Sequence, residues 1–219
     1  MEFSEIILKT EAFVQNTLRD AESGHDWHHI YRVRNMALYL QEKEGGTAFT
    51  LEMAALLHDI SDAKFNGGQE DLGALKAATF LKQFKLEKEL LDEIIYLVEH
   101  CSYKGGHGKK ADNLNLKILQ DADRLDAIGA IGIARTFNYG GYKNAPLHLP
   151  QAQAREEFSL QEYRKDTGST IHHFYEKLLK LKDEMNTASA RQIAEERHQF
   201  MLTFLDQFYR EWDWSKRED

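Results

Sequence analysis

Proline and valine are scarce in this chain, and their scarcity restricts the folds that it can adopt. The 219 residues include two prolines, Pro146 and Pro150, and valine occurs only at positions 14, 33 and 98. Proline interrupts helices and β-branched residues favour strands, so this composition disfavours sheets and favours long helices. The sequence therefore predicts an all-α fold.

Apolar residues spaced three and four positions apart outline nine candidate helices. We predict helices at 3–21, 26–43, 50–58, 70–84, 87–103, 113–137, 153–163, 170–184 and 189–212. Glycines mark several breaks, at Gly45-Gly46, at Gly67-Gly68 and in the run from Lys104 to Lys110. An irregular stretch from Tyr139 to Pro150 is either a lid or a connector.

Length and charge limit the classes of protein to which the chain can belong. We expect one domain over residues 1–219, with a helical bundle at about 20–137 and a C-terminal helical part at about 151–214. A net charge of −8 argues against nucleic acid as a partner. The single cysteine, Cys101, excludes an internal disulfide framework. The apolar runs are too short to cross a membrane, so we expect a cytoplasmic protein, with homodimer formation left open.

The second predicted helix carries a histidine on its inward face. His29, Val33, Met36 and Leu40 recur at steps of four, three and four, which is the spacing of one helical stripe. Arg32 lies beside His29, where its guanidinium could hold a carboxylate or a phosphate bidentately. We expect the neighbouring His25 and His28, which fall off the stripe, to be surface or capping residues.

Three further ionisable residues have the chemistry of metal ligands. His58 and Asp59 are adjacent, so both can ligate one ion only if their helix ends there. Asp123 and Asp126 share a partly apolar face of the sixth predicted helix, and either carboxylate satisfies the geometry. Ionisable groups inside a helical bundle are costly unless they are paired, which favours a metal site.

The order of these residues resembles the HD superfamily of metal-dependent phosphohydrolases, which is defined by His, then His-Asp, then Asp. The segments Gly24 to Val33, Leu56 to Phe65 and Asp121 to Gly129 carry the resemblance. The runs Thr170 to Leu178 and Met185 to Thr187 are similar to a small bacterial branch of that superfamily. One departure is Ser61, where members commonly have glycine.

The resemblance implies an all-helical HD fold, a metal site of His29, His58, Asp59 and Asp123, and hydrolysis of a phosphate ester or anhydride. It favours Asp123 over Asp126 as the fourth ligand. A nucleotide, with nucleoside triphosphates first, is the implied substrate, and pyrophosphate or phosphate is the released product. Two imidazoles and two carboxylates suit Mn, Fe, Co, Ni or Zn and are less typical of Mg. Manganese is our first choice for a single divalent ion.

Several residues near these ligands are candidates for catalysis and substrate binding. Asp62 could orient or deprotonate a water, as an acidic residue there does in related HD enzymes, or it could cap a helix. Lys64 could stabilise charge on phosphate oxygens. His100 could donate to a leaving oxygen or a phosphate. His173 and Lys177, four positions apart, could face a phosphate.

Other features leave alternatives open. The loop from Lys104 to Lys110 either closes over a triphosphate or is merely solvated. Arg191, Arg197 and His198 form either a phosphate-facing cluster or surface pairs with glutamates. A dinuclear site, as in HD oxygenases and cyclic-dinucleotide phosphodiesterases, would have only His100 and His107 as extra histidines. A nucleotide sensor that lacks turnover is the main rival to an enzyme.

Overall fold

Residues 2–19, 21, 26–61, 72–102, 110–152 and 168–214 are described by the computed structural model of the chain. In that part the α-helices are α1 (Phe3–Thr17), α2 (Trp27–Glu44), α3 (Ala48–Leu57), α4 (Leu72–Leu81), α5 (Lys88–His100), α6 (Leu114–Asp126), α7 (Gly129–Tyr142), α8 (Thr170–Glu176) and α9 (Ala188–Trp212). Short 3-10 segments follow α4 and α8, at Lys82–Phe84 and Leu178–Glu184. The described residues contain no strand, and the predicted all-α fold is confirmed.

Most predicted helices match observed ones to within a few residues, but the sixth does not. The predicted helix at 113–137 is two helices, because α6 ends at Asp126 and α7 begins at Gly129. Gly129 has a φ of 75°, a left-handed conformation that glycine adopts without steric cost. The chain therefore changes direction directly after the carboxylates of α6.

The predicted irregular stretch begins later than expected. Helix α7 continues to Tyr142 and includes Gly140, so the extended segment starts at Lys143. A Cβ atom on Gly140 would lie 2.4 Å from the hydroxyl of Thr170, which shows how closely α7 approaches the start of α8. The predicted helix at 170–184 is also divided, since α8 ends at Glu176 and a 3-10 segment follows. The predicted helix at 153–163 lies outside the described residues.

Helix α3 occupies the centre of the bundle. Eight of its ten residues are buried, and it packs against α1, α2, α5 and α6. Helix α6 is buried around most of its circumference and also packs against α2. Because α2, α3 and α6 contact one another, polar residues on their facing sides are brought together inside the core.

The C-terminal helix α9 packs against α2, α6 and α7. Its attachment to α6 depends on Asp121, whose carboxylate accepts hydrogen bonds from the backbone N–H groups of Asn186 and Thr187, both at 2.8 Å. Thr187 is in turn the N-cap of α9. No described helix combines the length and hydrophobicity needed to cross a membrane.

Candidate metal centre

His29 enters the core from the first turn of α2. The carboxylate of Asp26 accepts a hydrogen bond from the backbone N–H of His29 at 3.0 Å and so fixes where the helix begins. The predicted inward face is confirmed for His29, Val33 and Leu40, which are all buried. His29 itself is only 1% exposed, so its ring must find polar partners within the protein.

His58 and Asp59 lie directly beyond the last residue of α3, Leu57. The sequence predicted that the helix would have to end here for both side chains to reach one ion, and the observed boundary confirms the ending. The side chains of His58 and Asp59 are 5% and 16% exposed. They therefore face the interior rather than solvent.

The donor atoms of four residues from α2, the end of α3 and α6 converge. The Nε2 atom of His29 lies 3.2 Å from Nε2 of His58, 3.8 Å from Oδ2 of Asp59 and 3.6 Å from Oδ1 of Asp123. Nε2 of His58 lies 3.8 Å from Oδ1 of Asp123. Ligands bound at about 2.0–2.2 Å from one ion are roughly 3 to 3.6 Å apart, so these separations are close to those of a metal site.

The tightest part of this group is formed by His29, His58 and Asp59, whose donor atoms all lie within 4.8 Å of one another. Asp123 approaches both imidazoles but is not a member of that triplet. Its side chain is 25% exposed, more than the other three, and it lies toward the open side of the group. The triplet is a cluster that could hold a metal ion.

Both histidines have the proton on the nitrogen that points away from the cluster. Nδ1 of His29 donates to Oδ2 of Asp126 at 2.8 Å, and Nδ1 of His58 donates to the carbonyl oxygen of Ala55 at 2.8 Å. A carboxylate and a carbonyl can only accept, so each neutral ring presents an Nε2 lone pair to the other. Two lone pairs at 3.2 Å repel unless a cation lies beside them, which is the chemistry that a divalent ion satisfies.

The pKa values of the group show the same preference for positive charge. Burial lowers the pKa of His29. Burial also lowers the pKa of His58, but its contacts with Asp123 and Asp59 outweigh that effect and raise it to about 9. Burial raises the pKa of Asp123, and the contact with His58 reverses this, so the pKa falls well below the ordinary value. The two carboxylates and two neutral imidazoles thus form a dianionic cavity that suits a divalent cation.

Asp126, the alternative fourth ligand, lies on the far side of the His29 ring. Its carboxylate is buried and accepts from Arg32 through Nε at 2.6 Å and Nη2 at 3.0 Å, and from Arg135 Nη1 at 2.6 Å. Of the two partners considered for Arg32, a carboxylate and a phosphate, the structure shows the carboxylate. Nη1 of Arg32 takes no part in this pair, and the side chain is 33% exposed.

The remaining predicted substrate residues lie at helix ends. His100 is the last residue of α5, where its carbonyl accepts from Gln120 Nε2 at 2.9 Å and its ring packs edge-on against Tyr96. His173 and Lys177 are half-buried, and the N–H of Lys177 donates to the carbonyl of His173 where α8 ends. Because α8 stops there, the two side chains do not share a continuous helical face. Their roles toward a substrate stay predictions.

Two predicted catalytic residues, Asp62 and Lys64, lie outside the described residues, as do His25, His107 and the loop from Lys104 to Lys109. His28 is exposed, as predicted for a residue off the inward stripe of α2.

The arginines of α9 contact backbone carbonyls. Arg191 donates to the carbonyls of Met185 and Asn186, both at 3.1 Å, and Arg197 donates to the carbonyl of Leu125. These contacts match neither of the two arrangements considered from sequence, a phosphate-facing cluster or surface pairs with glutamates.

Arg135 is a residue of this region that the sequence did not single out. In one continuous helix, nine positions place Arg135 on the face opposite Asp126 and about 13 Å along the axis. The turn at Gly129 brings α7 back, so that Arg135 reaches both the carboxylate and the main-chain oxygen of Asp126. The helix break is therefore the signal that would have revealed it.

Comparisons with known proteins agree with this architecture. Residues 26–128 match the family model of the HD domain. The uncharacterized protein YpgQ of Bacillus subtilis is 42% identical over 200 residues, which cover 89% of this chain and 88% of YpgQ. A crystal structure of an HD-superfamily hydrolase from Bacillus thuringiensis has 42% identity and a TM-score of 0.75, covering 97% of this chain and 99% of that one.

A crystal structure of Bacillus subtilis YpgQ in complex with ADP is also similar. Its TM-score is 0.74 at 37% identity, and the match covers 94% of this chain and 97% of that chain. The matched region includes the ends of all three helices that supply the converging donors. The fold, the ordered donors and these similarities together show that the chain belongs to the HD-domain family.

Proposed function

We propose that this protein is a metal-dependent phosphohydrolase that acts on a nucleotide, with nucleoside triphosphates as the first substrate class. The observation that carries the proposal is the convergence of two Nε2 lone pairs and two carboxylates whose other hydrogen bonds are already made. His29, His58, Asp59 and Asp123 would hold one divalent ion. Membership of the HD family, whose solved relatives include HD-superfamily hydrolases, supports hydrolysis.

The donor set has two nitrogens and two oxygens, which suits Mn, Fe, Co, Ni or Zn, with Mn as our first choice and Mg less typical. When bound, such an ion supplies Lewis-acid polarisation of a phosphate and lowers the pKa of a water. The four protein ligands leave room for substrate on the side of Asp123, the most exposed of them. We therefore place the phosphate on that side.

Side chains around the cluster would bind and orient the phosphate. Nη1 of Arg32 is free of the Asp126 pair and can donate to a phosphate oxygen, because Nε and Nη2 fix the plane of the guanidinium. Asp62 would accept a proton from the attacking water, and Lys64 would stabilise charge on the phosphate oxygens. His100, His173 and Lys177 are further candidates for contacts with the substrate.

A nucleotide is the favoured substrate for two reasons. The net charge of −8 makes nucleic acid an unsuitable partner, so the phosphate compound should be small. A YpgQ crystal contains ADP, which supports a pocket of nucleotide size in this family. Chain length of the phosphate and choice of base are open to experiment.

The direct test is turnover of a nucleotide panel by metal-loaded protein, with phosphate and pyrophosphate measured separately. We expect hydrolysis with at least one divalent metal, and a loss of at least about 100-fold in Asp59→Ala, since even outer partners of a metal contribute 10- to 100-fold. His28→Ala is the matched control, because His28 neighbours His29 but is exposed. Turnover should be retained in that variant.

The same experiment separates the enzyme from its rivals. Tight nucleotide binding with no hydrolysis under any metal would establish a sensor and contradict the proposal. Elemental analysis should find one ion per chain, whereas two ions would indicate a dinuclear phosphodiesterase or oxygenase. Equal turnover in Asp59→Ala and wild-type protein would show that the converging residues are not the catalytic site.

A further inference from the structure

A second layer of charged residues lies behind His29, on the side away from the converging donors. Asp126 is its centre, and its carboxylate is almost completely buried at 5% residue exposure. Oδ2 accepts from Nδ1 of His29 at 2.8 Å, while the opposite ring nitrogen, Nε2, faces the donor cluster. Asp126 therefore touches the cluster only through the ring of His29.

Two guanidinium groups hold this carboxylate in place. Arg32 binds both oxygens, through Nε at 2.6 Å and Nη2 at 3.0 Å. Arg135 donates to Oδ2 at 2.6 Å and to the main-chain oxygen of Asp126 at 3.2 Å. The layer contains one carboxylate and two guanidiniums, so its formal charge is +1, and the carboxylate stays ionised although it is buried.

We propose that Asp126 is the positioning carboxylate of the metal centre and not one of its ligands: held by Arg32 and Arg135, it keeps the proton of His29 on Nδ1 and the lone pair of Nε2 directed at the ion. This inference rests on the proposed metal-dependent function. It assigns Arg135, which enters through the turn at Gly129, to the same support.

The physical reason lies in the tautomers of imidazole. A neutral histidine has nearly free choice of which nitrogen carries the proton, and only the Nδ1–H form can bind a metal through Nε2. A carboxylate acceptor at Nδ1 removes that choice, restricts rotation of the ring and makes Nε2 more basic. Asp126 can serve in this way only while it remains ionised and fixed.

Replacement by asparagine tests the idea with little change of shape. In Asp126→Asn the amide has one acceptor oxygen for the four donor atoms that the carboxylate satisfies, so its NH₂ group must face an N–H donor. We expect the affinity for Mn²⁺ or Co²⁺, measured by competition with a chromogenic chelator, to fall about 10- to 100-fold. Asp59→Ala, which removes a ligand, should lose more.

Asp121→Asn is the matched control. Asp121 is also buried and lies on α6, but its carboxylate faces Asn186 and Thr187 rather than His29. We expect it to change stability and to leave metal affinity within about twofold of wild type, since it contacts none of the four donors.

A spectroscopic measurement distinguishes positioning from a general loss of structure. In metal-free wild-type protein labelled with ¹⁵N-histidine, we expect His29 as the Nδ1–H tautomer with a strongly downfield proton, assigned by its absence in His29→Gln. That signal should move upfield or disappear in Asp126→Asn and remain in Asp121→Asn. The wild-type spectrum decides between the two ring nitrogens even if Asp126→Asn fails to fold.

The possible failures are distinct. An Nε2–H tautomer in the wild-type protein, or an Asp126→Asn variant with unchanged affinity and an unchanged signal, would overturn the inference and leave the proposed function intact. A loss of binding as complete as in Asp59→Ala would show that Asp126 is a ligand and would also overturn it. Wild-type protein that binds no divalent metal would overturn the proposed function itself.

Discussion

The thiol of Cys101 lies in the core beside the helix that carries Asp123, at 3% exposure. Burial raises its pKa well above the ordinary value, and the charges of Asp123 and Asp59 act in the same direction. Because only the thiolate reacts readily, we predict that Cys101 in native protein at pH 8 is not modified by Ellman's reagent over an hour. Guanidinium-unfolded protein should release one equivalent of the chromophore. Rapid, complete reaction of the native protein would contradict the burial.

Asp121 is a buried carboxylate whose partners lie 65 and 66 positions away. It accepts from two backbone N–H groups and from the hydroxyl of Thr187 at 2.8 Å, so truncation would leave several donors without an acceptor. We predict that Asp121→Ala lowers the free energy of unfolding by about 2 to 4 kcal/mol, measured by guanidinium denaturation.

Asp92→Ala provides the comparison for that measurement. Asp92 lies on α5 and pairs with Lys88 at 2.5 Å, with side chains 58% and 82% exposed. An exposed pair of this kind contributes roughly 0 to 1 kcal/mol. If Asp121→Ala had an effect no larger than Asp92→Ala, the docking role of Asp121 would be wrong.

At the scale of elements, the turn between α6 and α7 depends on Gly129. A Cβ atom there would lie 2.9 Å from Cγ of Arg197, and the φ of 75° is unfavourable for any residue with a side chain. We predict that Gly129→Ala destabilises the protein by at least about 1 to 2 kcal/mol, the usual cost of that backbone conformation. Thermal denaturation followed by circular dichroism measures the loss.

Gly141→Ala is the matched control within the same helix. Nothing lies within 4 Å of a Cβ atom at Gly141, which is in the last turn of α7. Alanine has the higher helix propensity, so this variant should be neutral or up to about 1 kcal/mol more stable. Equal destabilisation of both variants would contradict the special role of the turn at Gly129.

Helix periodicity explains which parts of the site could be predicted from the sequence. The stripe of α2 placed His29 in the core, and the requirement on two adjacent ligands predicted that α3 would end beside His58. Both predictions are confirmed because each depends on neighbours within one helix. The break after Asp126 was missed, since glycines also occur inside α7 and a glycine alone does not specify a boundary.

Contacts between distant parts of the chain could not be predicted in this way. His29 and Asp126 are 97 positions apart, and periodicity assigns each to a face without saying which faces meet. The interpretation of Arg32 was therefore left between a carboxylate and a phosphate until the packing of α2 on α6 decided its partner. The choice of Asp123 over Asp126 came from resemblance, and the metal ligands remain a proposal.

At the scale of the whole molecule, the candidate metal centre joins three helices that are distant in sequence. Helices α2, α3 and α6 contact one another in the core, and α9 is fastened to α6 through Asp121. An ion bound by donors from all three helices would stabilise the arrangement that brings them together, because the unfolded chain has no such site. The division into a bundle and a C-terminal part within one domain stays a prediction.

Metal loading should accordingly raise the thermal stability of the entire chain. At a free metal concentration of about 100 times Kd, binding to the folded state contributes about 2.7 kcal/mol. A chain of this size gains roughly 2 to 4 °C in Tm for each kcal/mol, so we predict an increase of about 5 to 10 °C over protein treated with EDTA. Differential scanning calorimetry measures the shift, and His28→Ala should retain it because His28 is exposed. In Asp59→Ala the increase should be lost, since the carboxylate that completes the triplet with His29 and His58 is gone. An equal shift in Asp59→Ala would mean that the metal binds elsewhere on the protein.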